Sequence, residues 1–183
     1  MSGPGPISER ELLALIRTIP DHPSPGILFR DITPLLADGP AFARVVEAFA
    51  APFRGAPAGA GIDLVVGIEA RGFILAAPVA IALGLGFVPI RKFGKLPHDT
   101  VGAAYDLEYG QSEIEVHADG VRPGQRVLVC DDVLATGGTA QAACDLVEQL
   151  GGEVAEVAVL MEIAALDGRA LLGGRRVRAL LTV

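Results

Sequence analysis

Lysine is almost missing from this chain. Of its 183 residues only Lys92 and Lys95 carry an ammonium, and 15 basic residues stand against 22 acids for a net charge of −7. That balance argues against broad, non-specific binding to nucleic acid. Cysteine is as scarce. Cys130 falls inside an apolar strand-like run and Cys144 inside the helix-like segment after it, which argues against a disulfide framework and fits a reducing compartment. No His/Cys cluster has the spacing of zinc ligands. No apolar stretch reaches membrane-spanning length without meeting Gly, Pro or a charge, and the opening MSGPGPISER lacks the basic-then-apolar order of a signal peptide. A soluble, cytoplasmic protein is expected, with no membrane or nucleic-acid partner. Internal repeats and low-complexity tails are missing as well.

What is present is apolar and small. With 51% hydrophobic residues and a mean hydropathy of +0.47, the chain is long enough for one domain with a real core, spanning 1–183. Apolar positions Ile7, Leu12, Leu15, Ile16 and Ile19 predict an amphipathic helix opened by a Ser8–Glu11 capping box and ended by Pro20. DHPSPGILFRDITPLL reads as irregular or extended, a helix is expected from about Pro40 to Phe53, and APFRGAPAGAG is a turn-rich connection. Buried strands are expected at Asp63–Ile68 and Gly86–Arg91, with an apolar helix through Leu83 between them. Tyr105–Tyr109 and Ser112–His117, joined by Gly110-Gln111, read as an antiparallel hairpin. Strands near Val154–Met161 and at VRALLTV close the chain, with a short helix ALDGRALL between them. Alternating strands and helices predict an α/β fold: a mostly parallel sheet flanked by helices, with ligand at the carboxyl ends of its strands.

The most informative run is VLVCDDVLATGGTA, Val127 to Ala140. Four strand formers end on Asp131 and Asp132. Ala135, Thr136, Gly137, Gly138 and Thr139 then put little bulk in the way of backbone N–H groups, and a helix with apolar Ala140, Ala143, Val147 and Leu150 runs to Gly151-Gly152. Such a strand-loop-helix suits an anion at the positive end of the helix dipole. No lysine follows the glycines, so it is not a Walker loop. The plainer alternative is an ordinary helix entry capped by Thr136 or Thr139, with the acids in a solvated turn. Both lysines sit with Arg91 in RKFGK, a cluster that suits a small polyanion or else a solvated loop. GIEARGF, Gly67 to Phe73, is a second strand end entering a helix; its Arg71 either serves a ligand, snorkels over the sheet edge, or pairs with Glu69.

PGILFRDITPLL, IEARGF, IRKFGKLP, YDLEYG and DDVLATGGT, in this order and spacing, resemble the adenine phosphoribosyltransferases, a family of type I phosphoribosyltransferases, along nearly the whole chain. The resemblance implies transfer of the 5-phosphoribosyl group of phosphoribosyl pyrophosphate (PRPP) to N9 of adenine, giving AMP and pyrophosphate in purine salvage, with Mg²⁺ as cofactor and a homodimer as the assembly. It implies an N-terminal segment, 1–36, on the purine side and a flexible catalytic loop and hairpin at 92–117. Arg71, Arg91, Lys92 and Lys95 would meet the pyrophosphate. Asp131 and Asp132 would hold ribose hydroxyls and, through water, Mg²⁺, while Ala135, Thr136, Gly137, Gly138 and Thr139 take the 5′-phosphate. Glu108 would handle the purine proton, and Arg71 and Lys92 would share in catalysis. Adenine would lie between Phe29 and Ile163, its edge read by the backbone of Leu28 and Arg30. Gly94–Tyr109 would be a hood that closes over substrate and excludes water. Plainer roles stay open: Phe29 as core packing, and Glu108 as a hairpin cap or a partner of Lys92. A transferase for another base and a PRPP-sensing regulator are the rival functions; the regulator would need a DNA-binding segment that this chain has no length for.

Overall fold

The computed structural model describes residues 5–55, 61–107 and 110–183, with backbone only at 106, 107, 110 and 111. In chain order the elements are α1 (Glu9–Leu15), β1 (Arg17–Pro20), β2 (Leu28–Asp31), α2 (Thr33–Ala37), α3 (Gly39–Ala50), β3 (Leu64–Ile68), α4 (Arg71–Leu83), β4 (Gly86–Lys92), β5 (Thr100–Leu107), β6 (Gly110–His117), β7 (Arg126–Leu134), α5 (Gly138–Gln149), β8 (Glu153–Glu162) and β9 (Val177–Thr182). Short 3-10 turns follow α3 and β8.

Seven strands form one sheet in the order β5-β6-β4-β3-β7-β8-β9. β4, β3, β7, β8 and β9 are parallel, and the β5–β6 hairpin joins antiparallel through Arg91↔Glu115 and Lys92↔Ile114. Successive residues of a central strand serve opposite faces. Val65, Leu128 and Cys130 pack with α1 to α4, while Leu64, Val66, Val127 and Val129 pack with α5. The handedness of the crossovers explains why. From β3 the chain moves one way to β4 and from β7 the other way to β8, so right-handed connections place α4 and α5 on opposite faces. Both buried thiols are free, and burial raises the Cys130 thiol and pushes Cys144 up to about 12. They are packing residues without a thiolate at neutral pH.

The N-terminus departs from the periodicity. Ser8 and Glu11 do form the reciprocal capping box, but the helix stops at Leu15, and Arg17–Pro20 pair with Leu28–Asp31 as a two-stranded ribbon. Thr18 and Ile19 are β-branched and gain an antiparallel partner, so a non-local pairing ends the helix before Pro20 is reached. The hairpin differs too. β5 begins at Thr100 and Leu107 pairs with Gly110, which makes Gly110 and Gln111 strand residues and leaves only Phe93–Asp99 as connecting loop. Alternation was invisible across 100–104 because Gly102, Ala103 and Ala104 are too small to carry it. Glu108 and Tyr109, and the connection at 56–60, lie outside the described residues.

Candidate active site

β3 stands where the strand order reverses, and its crossover and that of β7 leave in opposite directions. A crevice therefore opens above the carboxyl ends of both strands. Two turns fill it: Glu69–Arg71, whose Glu69–Ala70 peptide is cis, and Ala135–Thr139. Gly72, in the first turn of α4, lies so close to β7 that a Cβ would stand 2.9 Å from both the Asp131 carboxylate and the Cys130 carbonyl. That closeness brings the two turns together.

The loop after β7 ends on Gly137, the N-cap of α5, at φ +92° with no side chain capping the helix. Neither Thr136 nor Thr139 serves as the cap. The first intrahelical bond runs from the Gln141 N–H to the Gly137 carbonyl at 2.8 Å, leaving the amides of the first turn without intrahelical acceptors. The loop is held from behind by Gly168, against whose carbonyl a Cβ on Gly137 would collide. Gly168 is itself pinned by its neighbour Arg169, which grips Glu162 through two bonds of 2.7 Å.

At the end of β7 the Asp132 side chain is 5% exposed and lies 2.8 Å from Arg71 Nε. The pair is in ionic contact without hydrogen-bond alignment, since Asp132 Oδ2 is buried with no hydrogen-bond partner. Asp131 Oδ1 accepts the Asp132 N–H at 2.8 Å. Burial raises both carboxyls above the usual range, Asp131 most strongly because the Asp132 charge adds to it, while Arg71 draws Asp132 back. A cation placed beside the two acids would favour their charged forms. The Arg71 guanidinium also stacks over the Phe29 ring, 5.1 Å from its centroid.

Across the crevice, Glu69 Oε2 accepts the Lys92 N–H at 3.0 Å and Arg91 Nε at 3.2 Å, and Arg91 Nη1 donates to the Lys95 carbonyl at 3.2 Å. Burial pushes the Glu69 carboxyl up, but these donors outweigh it and hold it below the usual range.

Two clefts result, and they are contiguous. One of about 450 Å³ is mostly apolar, lined by Ile27, Leu28, Phe29, Arg30, Val133, Ile163 and Leu166. The other, about 340 Å³, is polar and lined by Glu69, Ala70, Lys92, Tyr105, Asp131, Asp132 and the loop through Ala140. Arg71, Val133, Ala135, Thr136 and Thr139 line both. An apolar cleft opening onto an uncapped helix N-terminus and paired acids matches the two ends of a nucleotide.

The model of the phosphoribosyl transferase domain family matches residues 35–171. The chain is 56% identical to an adenine phosphoribosyltransferase of Nocardioides sp. over 185 aligned residues, 100% of both chains. The chain belongs to the adenine phosphoribosyltransferase family. Among solved structures it is similar to the adenine phosphoribosyltransferase of Thermoanaerobacter pseudethanolicus, with a TM-score of 0.90, 46% identity, and 96% and 100% of the two chains covered. It is also similar to the Giardia lamblia enzyme complexed with 9-deazaadenine, with a TM-score of 0.88, 42% identity and 97% and 98% coverage.

The residues expected from the family motifs are largely brought together. Leu28, Phe29, Arg30 and Ile163 line the apolar cleft; Lys92, Asp131, Asp132, Ala135, Thr136, Gly137, Gly138 and Thr139 line the polar one; Arg71 lines both. Arg91 and Lys95 line neither cleft: Arg91 is turned to Glu69, and Lys95 meets it through its backbone. Glu108 lies outside the described residues. Among the residues lining the clefts, sequence reasoning did not name Ile27, Val133, Leu166, Tyr105, Glu69, Ala70, Leu134 and Ala140 as site residues. Val133 had a signal, one step beyond the acids on a strand whose alternation faces it from the loop. Tyr105 had none, since the hairpin's position depends on how β6 docks on β4.

Proposed function

We propose that this protein transfers the 5-phosphoribosyl group of PRPP to N9 of adenine, releasing pyrophosphate and forming AMP in purine salvage. The supporting observation is the apolar cleft walled by Phe29 and Ile163 that opens directly onto Asp131, Asp132 and the uncapped start of α5. In this reading the α5 amides and the hydroxyls of Thr136 and Thr139 bind the 5′-phosphate. Asp131 and Asp132 bind the ribose hydroxyls, and Arg71 with Lys92 faces the pyrophosphate. Arg91 and Lys95 act at longer range, through charge and through the turn they stabilise.

Adenine packs between Phe29 and Ile163. Pro20 has no N–H to give, so its pairing with Leu28 suits a non-hydrogen-bonded position of the ribbon. Leu28 and Arg30 then turn their backbone groups to its free edge. A carbonyl there accepts from a 6-amino group and would face the oxygen of a 6-oxo purine, leaving both acceptors unpaired. As the C1′–O bond to pyrophosphate breaks and the C1′–N9 bond forms, the N9 proton must leave, and Glu108 is assigned to receive it.

Mg²⁺ fits the donor set as an ion brought by its substrate: Asp132 has a buried oxygen without a hydrogen-bond partner, and no cluster of three His, Cys or acidic groups stands among the described residues to cage a metal. Asp131 and Asp132 would hold it through water, where it would offset charge on the departing pyrophosphate. The reading carries a cytoplasmic homodimer. Ile74 and Ile81, 42% and 81% exposed on one side of α4, offer an apolar face for it, and light scattering measures the assembly.

Absorbance-monitored turnover of adenine with PRPP, beside hypoxanthine and guanine, tests the proposal. Nucleotide should form from adenine alone, and equal rates with a 6-oxo purine would reject the assignment. Glu108→Gln should lower kcat about 10²-fold while leaving the PRPP KM within a few-fold. A variant that melts early yet turns over normally when folded would return Glu108 to a structural role.

A further inference from the structure

Among the described residues three carboxylates are buried outside the two clefts: Glu156 pairs with Arg176 and Arg178, Glu162 with Arg169, and the third, Glu115, is held by a loop instead. Glu115, on β6, is 3% exposed and sits opposite Arg91 of β4. Its Oε1 accepts the N–H groups of Lys95 and Leu96 at 2.9 Å each, and its Oε2 accepts the Thr100 hydroxyl at 3.2 Å. The Gly94 amide faces it as well. Consecutive amides converging on one point form a ready-made anion nest. Here the protein fills that nest with its own side chain, so the nest serves the loop and not a ligand.

The loop so gripped is Phe93–Asp99, between β4 and β5. Its other end is held by Glu69, through the Lys92 N–H and the Arg91 guanidinium, and Arg91 closes the circuit by donating to the Lys95 carbonyl. Both lysines of the chain lie inside this frame, and Lys92 lines the polar cleft. We propose that Glu115 is a positioning residue for the pyrophosphate end of the substrate: it fixes the turn after β4 so that the Lys92 ammonium is presented to the polar cleft. The inference rests on the PRPP reading of that cleft.

Two accounts of this residue differ in sign. If Glu115 mattered only as a charge, removing it would leave the cationic turn less neutralised and would tighten the binding of a polyanion. If it positions the turn, removing its charge weakens that binding, because a lysine that samples many places is a poorer partner than one held in place. Glu115→Gln separates them. Gln keeps the shape and can leave its oxygen on the Lys95 and Leu96 amides while its NH₂ donates to the Thr100 hydroxyl, but a neutral oxygen holds those amides less strongly than a carboxylate does.

The experiment is calorimetric titration of wild type, Glu115→Gln and Glu115→Asp with PRPP and with inorganic pyrophosphate, each with Mg²⁺, beside steady-state kinetics and thermal melting. Glu115→Gln should weaken both ligands about tenfold and raise the PRPP KM to match, with kcat and the adenine KM within twofold; Asp, which keeps the carboxylate, should recover part of the loss. Tighter or unchanged binding in Glu115→Gln overturns the proposal, as does a loss spread evenly over kcat and both KM values in step with a fall in Tm. If wild type binds neither ligand, the PRPP reading itself fails. A normal wild type with an unaffected variant removes only Glu115.

Discussion

Gly137→Val should cost more activity than any other single substitution in the loop after β7, lowering kcat/KM for PRPP by about 10²–10³, the loss expected when oriented backbone donors at a reacting anion are displaced. A β-branched side chain there would crowd the phosphate against the backbone N–H groups. The fold supplies a second cause. At φ +92° the residue sits where L side chains rarely go, and its Cβ would collide with the Gly168 carbonyl. Either the loop or the 3-10 turn must shift, and the strain of about 1–3 kcal/mol should lower Tm by about 2–4 °C per kcal/mol in a chain of this size. Gly137→Ala should show the same pattern, smaller. Kinetics with varied PRPP and a melting curve check both parts, and a Gly137→Val enzyme with an unaltered PRPP KM would remove the loop from the phosphate site.

Asp131→Asn and Asp132→Asn should each impair PRPP use by about 10²-fold and raise the Mg²⁺ concentration needed, but their stabilities should move apart. Burial and the neighbouring charge raise the Asp131 carboxyl above its ordinary value. A raised acid keeps its proton in the fold at a pH where the unfolded chain has lost it. Stability therefore falls as pH rises from the unfolded pKa toward the folded one, and the cost persists above it. Asn removes that cost at neutral pH and still accepts the Asp132 N–H, so Asp131→Asn should melt higher than wild type, with the gain fading in acid. Burial raises Asp132 as well, but the Arg71 guanidinium at 2.8 Å draws it back, so Asp132→Asn should gain less stability than Asp131→Asn. A lower Tm for Asp131→Asn at neutral pH would show that the pair is not strained by its own charges.

Much of this architecture is legible residue by residue. The buried strand Leu64–Ile68 and the Val127–Cys130 stretch of β7 carry no charged or polar side chain, and such runs mean a sheet covered on both faces. α5 stops at Gly151, whose N–H bonds the Glu148 carbonyl at φ +85°, as its Gly-Gly predicts. The loop from Ala135 to Thr139, which lines the polar cleft at the start of α5, follows from the same local chemistry. Where local and distant demands conflict the pattern misleads: Ile16 to Pro20 continue a helical period but form a strand edge and its entry, because Leu28–Asp31 arrives from farther along the chain to pair with them.

The amino-acid sequence by itself determined the strand-loop-helix at Asp131–Thr139, the reduced and buried cysteines, and the list of groups able to meet a nucleotide, since each follows from residue types within a few positions of one another. Only the tertiary structure decided their pairing. Arg71 meets Asp132 and Phe29 and not Glu69, Glu69 takes Arg91, and Glu115 fills the amides of the turn after β4. Which charge a guanidinium meets depends on which strand ends are neighbours, and that follows from the order β6-β4-β3-β7, an outcome of how the helices divide between two faces that no local stretch of sequence contains.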